Sequence, residues 1–211
     1  MDHWLISLVT GAISGLSAGF FTGSVRRVIP EGSWWLRARA HVPLAAAAGV
    51  GAAVLARSPA ELIAFATAGV GCALLMVVDI AVHRLPDRMV AGTAVALLVP
   101  LGVVAATGSG GDAFARSLLA AVVLMAGYFL LALISPAGLG LGDVKFAAVI
   151  GALLGWFGWS EVAVGTVLGF LLNGVAALMV VLLRRGDRTS SEVPFGPSML
   201  AGAVLALVIS F

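Results

Sequence analysis

Two aspartates stand out because each lies in or beside a long apolar run. Asp79 follows "GCALLMVV" and precedes "IAVHRLPD", whereas Asp143 closes the segment "GLGLGD" directly before another apolar run. An ionisable side chain at membrane depth is costly unless it is paired or faces a watery cavity, so such a residue is a functional candidate by default. We therefore predict chemistry at both positions. The structural alternatives are that Asp79 pairs with Arg84 or Lys145, and that Asp143 only caps a helix.

Two neighbouring carboxylates can hydrolyse a peptide bond. Held within a few ångströms of each other they cannot both ionise readily, so the pair holds one proton near neutral pH. The ionised member can deprotonate a bound water while the protonated member donates to the peptide carbonyl, and the roles reverse as the amine leaves. If Asp79 and Asp143 meet, this chemistry follows without a metal.

The composition indicates a polytopic, all-α membrane protein. The chain has 211 residues, of which 61% are hydrophobic and 10% charged, and its repeated apolar runs are long enough to cross a hydrocarbon layer of roughly 30 Å. We predict about eight transmembrane helices, with seven as the alternative because several runs are short. They lie at about 4–24, 42–58, 60–82, 88–107, 115–135, 143–159, 161–183 and 194–211.

The basic residues predict an orientation. With the N-terminus outside, ten of the twelve Lys and Arg residues fall on the cytoplasmic side, as expected for membrane proteins. We therefore expect a multi-pass protein of the inner (plasma) membrane with Asp79 and Asp143 both at the cytoplasmic face. The net charge is only +2 and the basic residues lie in short loops, which argues against nucleic acid as a partner. The first run carries no leading Lys or Arg, so we interpret it as a retained span.

The remaining acidic residues have simpler interpretations. Asp87 directly follows Pro86, where it can cap the next helix and interact favourably with its dipole. The other acids are assigned to solvated loops or helix ends: Asp2, Glu31, Glu61, Asp112, Glu161, Asp187 and Glu192. The single cysteine, Cys72, can form neither a disulfide framework nor a thiolate zinc site, and we expect no metal and no cofactor.

Glycines occur in two kinds of pattern. Gly138, Gly140 and Gly142 disfavour a continuous helix beside Asp143 and predict a polar pocket at the cytoplasmic face. Other glycines recur at intervals of four and predict helix faces on which a neighbour packs closely: Gly11, Gly15, Gly19 and Gly23 in the first span, and Gly165 and Gly169 in the seventh.

Several segments resemble one family of proteases. "GLGD", continued by Val144 and Lys145, resembles the GxGD motif of intramembrane aspartyl proteases, and its GDVK form is similar to the type IV prepilin peptidase family. "DIAVHRLPD" resembles that family's other catalytic segment, which implies that Asp79 is catalytic and that Asp87 is the acid after the proline. Near the C-terminus, "VPFGPSML" resembles the family's PFGP segment, which implies supporting roles for Pro194, Phe195, Gly196 and Pro197.

The resemblance implies an aspartic-type endopeptidase with Asp79 and Asp143 as the catalytic pair. Its substrate would be a prepilin or pseudopilin, a membrane protein whose short basic leader precedes an apolar helix. Gly140 and Gly142 would let unwound backbone pair with the extended substrate as an added strand. Lys145 and Arg84 would bias the aspartate pair toward ionisation or hold the substrate backbone, or else serve as ordinary positive-inside anchors.

The first loop departs from the family pattern. Many members carry paired CxxC motifs there, which bind zinc and are associated with methylation of the new N-terminus, whereas this loop reads "RRVIPEGSWWLRARAHVP". We therefore do not expect methyltransferase activity. The whole chain, 1–211, is interpreted as a single integral membrane peptidase domain: a first span with a shortened loop (1–41) and a protease core (42–211).

Three alternatives stay open. The chain could be a transporter or channel in which Asp79 and Asp143 bind a proton or cation. It could be a scaffold subunit of a pilus machine whose acids are structural. It could also be a protease of the presenilin or signal peptide peptidase type, although Val78 stands where those proteins have a tyrosine and PFGP stands where they have PAL.

Overall fold

The computed structural model of the protein describes residues 3–23, 39–108, 110–135, 139–183 and 193–210. Eight α-helices account for nearly all of these residues. In chain order they are α1 His3–Phe20, α2 His41–Leu55, α3 Pro59–Val82, α4 Asp87–Ala106, α5 Gly111–Ile134, α6 Leu141–Phe157, α7 Trp159–Leu183 and α8 Phe195–Ser210.

Each predicted apolar run coincides with one helix, with ends that agree to within four residues. Among the described residues, α1, α3, α4, α5 and α7 are long and apolar enough to cross a membrane, and α2 and α8 are apolar but shorter. The apolar surface of α7 is mostly exposed, since only Val162, Gly165 and Gly169 are buried. An apolar helix with so little buried surface suits a lipid environment. The prediction of a polytopic all-α membrane protein is confirmed.

The first compact unit comprises residues 1–114. Small residues let α1 and α2 pack closely: a Cβ built on Gly11 would lie 2.8 Å from Val50 Cγ2 and 3.1 Å from the Ala46 carbonyl oxygen. The predicted glycine face is therefore confirmed at Gly11. This glycine face ends before Gly23, because a Cβ built on Gly23 would have no atom within 4 Å in the described part of the chain. The buried core around these helices consists of Ala18, Ala45, Val70, Ala73, Leu74, Val77 and Val78.

A buried polar pair joins the end of α1 to the start of α2. His41 is completely buried, and its Nε2 lies 2.9 Å from Thr22 Oγ1. The Thr22 hydroxyl donates to the Gly19 carbonyl at 2.6 Å, so its oxygen is left to accept from the imidazole N–H. The end of α1 and the start of α2 are thereby fixed to each other.

Glu61 is not solvated, contrary to the prediction. It lies in the first turn of α3 with only 7% of its surface exposed. Its carboxylate accepts from the Arg57 N–H at 2.6 Å, while its own N–H donates to Ser58 Oγ at 3.2 Å. These bonds satisfy backbone donors that a helix start leaves unpaired, which compensates for burial of the carboxylate.

The second compact unit runs from Ala115 to Phe211. Within it, α5 and α6 approach closely at small residues. A Cβ on Gly151 would lie 2.6 Å from the Ala120 carbonyl oxygen, and Ser117 Oγ donates to the Ala152 carbonyl at 2.5 Å. On the other side of the unit, Gly165 and Gly169 face the backbone of α8, which confirms the packing role predicted for these two glycines.

Arg116 closes the C-terminal end of α6. Its Nε donates to the Gly155 carbonyl at 2.8 Å, and its Nη2 donates to the carbonyls of Trp156 at 2.9 Å and Phe157 at 3.4 Å. The last carbonyls of a helix have no partner within the helix and carry its negative dipole end. A guanidinium therefore satisfies these acceptors and complements their charge.

We expect Arg116→Met to lower the free energy of unfolding by about 2 kcal/mol, because these carbonyls lose a charged donor. Thermal unfolding of purified protein in detergent, followed by circular dichroism, measures the change. Arg57→Gln is the matched control, since the Arg57 side chain is exposed and only its backbone N–H bonds to Glu61. Equal melting temperatures for the two variants would contradict the capping role.

Candidate active site

Asp79 lies in the last turn of α3 and is 4% exposed. The helix ends three residues later, at Val82, because the next residue, His83, adopts a left-handed conformation (φ 51, ψ 36), and its N–H donates to the Asp79 carbonyl at 2.8 Å. Pro86 then disfavours helix at the residue before it. A buried carboxyl group is thus held one turn from a helix end whose next residues, His83 and Arg84, are exposed.

Asp87 begins α4, as expected, but it is not the N-cap. Pro86 occupies that position with extended backbone (φ −65, ψ 127), because the proline ring fixes φ and lacks the N–H that a helix would use. The capping prediction for Asp87 is therefore wrong. Its favourable position for the helix dipole stands, since Asp87 lies in the first turn and is exposed.

Asp143 is the third residue of α6 and is half-buried. The N-cap is Gly140, in extended conformation (φ −77, ψ 152). Asp143 Oδ2 accepts from the Gly140 N–H at 3.1 Å, and the Asp143 N–H donates to the Gly140 carbonyl at 3.0 Å. The carboxylate therefore does support the helix start. With about four lone-pair sites on two oxygens, it keeps capacity for other hydrogen bonds.

The glycines before Asp143 act differently from one another. Gly140 lies outside the helix, as predicted, whereas Gly142 is helical, because α6 begins at Leu141. Gly142 thus does not interrupt the helix, contrary to the prediction; first-turn N–H groups have no intrahelical partner, so a glycine there breaks no helical bond. Gly138 lies outside the described residues.

The basic residues near the two aspartates are on the surface. Lys145 is exposed on α6, and two residues' separation along a helix places it on a different face from Asp143. Arg84 is exposed after the end of α3. An exposed basic side chain can serve either as a positive-inside anchor or as a contact for a substrate backbone.

The PFGP segment forms the start of α8. Phe195 is the first residue of the helix, preceded by Pro194, and Phe195 and Gly196 are buried. Pro197 lies in the first turn, where a missing N–H costs nothing. One turn into the helix, Ser198 Oγ donates to Asn173 Oδ1 at 3.5 Å, which connects the segment to α7.

Three aromatic rings pack around this segment. The ring centroid of Tyr128 lies 5.3 Å from that of Phe170 and 5.7 Å from that of Phe195, and the two phenylalanine rings are 5.2 Å apart. Tyr128 is 2% exposed. Helices α5, α7 and α8 therefore converge here within the second unit.

Tyr128 was not identified from the sequence. Two signals pointed to it: it is the only tyrosine in the chain, and it lies in the middle of an apolar run. A hydroxyl at such a depth needs a polar partner.

The two predicted catalytic residues belong to different compact units. Asp79 lies in the unit 1–114 and Asp143 in the unit 115–211, and their pairing stays a prediction. Among the residues that the structure describes, no group of three or more His, Cys, Asp or Glu side chains is arranged to hold a metal ion.

Comparison with known proteins gives a family match. The model of a family described as "Type IV leader peptidase family" matches residues 63–184, more than half of the chain, and the matched range contains both Asp79 and Asp143. The PFGP segment lies beyond it. No solved structure matches the chain.

Two curated relatives carry the name "Prepilin leader peptidase/N-methyltransferase", one from Aeromonas salmonicida (strain A449) and one from Aeromonas hydrophila. The chain is similar to each at 30% identity over 99 residues, which make up 46% of this chain and 33% of the relative. The match thus spans about a third of the length of these relatives.

Proposed function

Because the chain belongs to the type IV leader peptidase family, we propose that it is an aspartic endopeptidase that removes the short basic leader from prepilin or pseudopilin-like membrane proteins. The observation that carries this proposal is that the family match, residues 63–184, contains both aspartates of the two resembling segments. The structure supports it by placing each of them beside a helix end: Asp79 in the last turn of α3 and Asp143 in the first turn of α6.

The proposed reaction uses one water and the two carboxyl groups. The ionised carboxylate takes a proton from the water as the oxygen attacks the scissile carbonyl carbon, and the protonated carboxyl donates to the carbonyl oxygen. The resulting tetrahedral diol then collapses: the carboxylate that donated a proton takes one back from a diol hydroxyl, the C–N bond breaks, and the departing nitrogen takes a proton from the carboxyl that accepted one. The products are a carboxylic acid and an amine. Each aspartate ends in the state from which the next cycle can start.

The proposed site faces the cytoplasm. With the N-terminus outside and every helix crossing the membrane, α3 ends at the cytoplasmic side and α6 begins there. Asp79 and Asp143 then lie at the same face of an inner (plasma) membrane, where a basic leader would be retained by the positive-inside rule.

The proposal covers peptide hydrolysis only. The relatives' names also include N-methyltransferase, but the cysteine pairs that the family's zinc-binding loop carries are absent from this sequence, in which Cys72 is the single cysteine. No residue of the chain is therefore assigned to methyl transfer.

Co-expression tests the proposed function. The chain and an epitope-tagged prepilin are produced together in a bacterium that lacks its own prepilin peptidase, and leader removal is followed by migration on a gel. We expect the shorter, mature form to accumulate only when the chain is present. A prepilin that keeps its full length at normal membrane levels of the chain would contradict the proposal.

The extended backbone at Gly140 suggests how a substrate strand would bind. A scissile peptide must be extended, and unwound backbone next to Asp143 can pair with it. Replacing Gly140 and Gly142 together by alanine is expected to slow cleavage by roughly tenfold, about the effect of losing one backbone hydrogen bond to the substrate. The change at Gly140 is sterically mild, because its Cβ would approach Asp143 Oδ2 no closer than 3.4 Å.

Initial cleavage rates of the double alanine variant and of Gly174→Ala measure this effect. Gly174 lies in α7 with nothing within 4 Å of its Cβ position in the described structure, so its variant should cleave like the wild type. Equal rates for the double alanine variant, Gly174→Ala and the wild type would rule out strand pairing at Gly140.

A further inference from the structure

Asn173 is a polar side chain near the middle of a helix that is long and apolar enough to cross a membrane. It lies fourteen residues after the start of α7 and ten before its end, so about 21 Å and about 15 Å of helix separate it from the two ends. Its neighbours in the chain are leucine, glycine and valine. A polar side chain at such depth is costly unless it has a hydrogen-bonding task, which makes Asn173 a candidate functional residue.

The face of α7 that carries Asn173 is the face on which α8 packs. Val162, Gly165 and Gly169 are the buried residues of this helix, and Asn173 continues their spacing of three or four residues. Asn173 is nevertheless only half-buried, because α8 begins beside it. Ser198, whose Oγ lies 3.5 Å from Asn173 Oδ1, belongs to the first turn of α8. The side chain therefore lies on the inner face of α7, at the edge where α8 starts.

The amide nitrogen of Asn173 is available to a ligand. A side-chain amide offers one acceptor oxygen and two N–H donors. The oxygen accepts from Ser198 at 3.5 Å, and in the described part of the chain no hydrogen bond uses the nitrogen. By contrast, the hydroxyl of Thr166, about two turns earlier on α7, donates to the Val162 carbonyl at 2.7 Å. Of these two polar groups on α7, only Asn173 keeps unused donors.

Asn173 lies at nearly the same depth as Asp143 within the second unit. Gly158 alone joins α6 to α7, and a Cβ built on Gly165 would lie 2.6 Å from Leu154 Cδ1, so the two helices run back along each other. From this contact, Asp143 lies eleven residues away along α6, about 16 Å. Asn173 lies eight residues away along α7, about 12 Å. The two residues therefore differ in depth by less than one helical turn.

We propose that Asn173 is a substrate-binding residue whose amide N–H groups donate to a backbone carbonyl of the extended segment that Asp143 cleaves. The inference rests on the proposed peptidase function and adds a contact for its substrate. A peptide that is unwound at membrane depth has carbonyls without partners in their own chain, and leaving them unsatisfied is costly. Because an extended chain advances about 3.3 Å per residue, a donor within a turn of the depth of Asp143 meets a carbonyl one or two residues from the scissile bond.

Asn173→Leu tests the contact, because leucine keeps the volume of the side chain and removes its donors. We expect kcat/KM for prepilin to fall by roughly tenfold, about the effect of losing one hydrogen bond between neutral groups. The loss should lie mainly in KM, since the contact is made in the bound substrate and in the transition state alike. Asn173→Gln keeps both donors and should recover most of the loss. Thr166→Val, the matched control on the same helix, should cleave like the wild type.

Binding to an inactive variant gives a readout that does not depend on turnover. In the Asp143→Asn background, the affinity for a fluorescently labelled prepilin is measured by anisotropy. We expect Asn173→Leu to weaken it by roughly tenfold, and Ser198→Ala, which leaves both N–H donors of Asn173 in place, to weaken it far less. If Asn173 only joined α7 to α8, both substitutions would lower the melting temperature alike and leave affinity and KM unchanged. That result would overturn the inference.

The outcomes also separate this inference from the proposed function. If the wild type cleaves prepilin and Asn173→Leu cleaves it with the same KM, the contact at Asn173 is wrong and the peptidase assignment stands. If the wild type leaves prepilin intact, the proposed function is wrong, and the substrate contact is refuted with it.

Discussion

Replacing either proposed catalytic aspartate by asparagine is expected to reduce leader removal by roughly 10³-fold or more. Asparagine has nearly the shape of aspartate, but it can neither accept a proton from the attacking water nor donate one to the carbonyl. Because the two residues work as a pair, Asp79→Asn and Asp143→Asn should each cause nearly the whole loss, and the double variant should be little worse.

The asparagine variants are also expected to fold. At position 143 the amide oxygen can still accept the Gly140 N–H that Asp143 Oδ2 accepts, so the start of α6 keeps its support. At position 79 the amide retains the volume of a side chain that is 4% exposed. Lost activity would therefore reflect lost chemistry.

Co-expression with a tagged prepilin measures leader removal by both variants and by a control variant at an exposed aspartate. Asp112 lies in the first turn of α5 and is exposed, so Asp112→Asn should process the substrate like the wild type. Membrane levels of all variants are compared by immunoblot. Processing that survives Asp79→Asn or Asp143→Asn at normal levels would exclude the two-aspartate mechanism.

The second large effect is expected at Gly202, where α8 contacts the backbone of α7. A Cβ on Gly202 would collide with the Gly169 N–H nitrogen and would lie 2.6 Å from the Gly165 carbonyl oxygen and 2.7 Å from Gly169 Cα. Backbone atoms cannot rotate away as side chains do, so a larger residue must separate the helices. We expect Gly202→Leu to lower the free energy of unfolding by about 3 kcal/mol.

Gly174→Leu is the control for this change. It adds the same side chain to the same helix pair, on α7, at a position that is exposed and open in the described structure. Thermal unfolding in detergent should show a clearly lower melting temperature for Gly202→Leu alone. Because α8 starts with the PFGP segment, we expect the Gly202→Leu variant to cleave prepilin more slowly as well. Equal melting temperatures would show that the two helices can separate at little cost.

The helices were predictable from the sequence for a simple physical reason. A segment that crosses hydrocarbon must satisfy its own backbone hydrogen bonds, so an apolar run of sufficient length becomes a helix almost regardless of its detailed composition. The positions of prolines and glycines then set the ends, as Pro86 does between α3 and α4. The family was predictable because the segments around Asp79 and Asp143 have specific spacings.

The errors concern hydrogen bonds that depend on local geometry. Glu61 looked solvated, yet the pattern Ser58-x-x-Glu61 is a capping-box signature that predicts the observed bond from the Glu61 N–H to Ser58 Oγ. Asp87 looked like an N-cap, but the adjacent proline takes that position. Gly142 looked like a helix breaker, but it falls within the first turn.

The aromatic contacts of the PFGP segment could not be predicted in the same way. The contact of Tyr128 with Phe195 joins residues far apart in the chain, and it depends on how α5, α7 and α8 pack against one another. Sequence could only mark the tyrosine as a polar group that needs a partner.

The hydrogen bond between Thr22 and His41 makes the first loop a place where chain can be added at low cost. The bond holds the ends of α1 and α2 together, so an insertion between them need not bring those ends together again. Each doubling of a flexible loop's length costs only about 0.6 kcal/mol. A longer segment between α1 and α2 can thus be carried on the same helical frame, so this connection is a position at which a module could be gained or lost while the packing of the helices is kept.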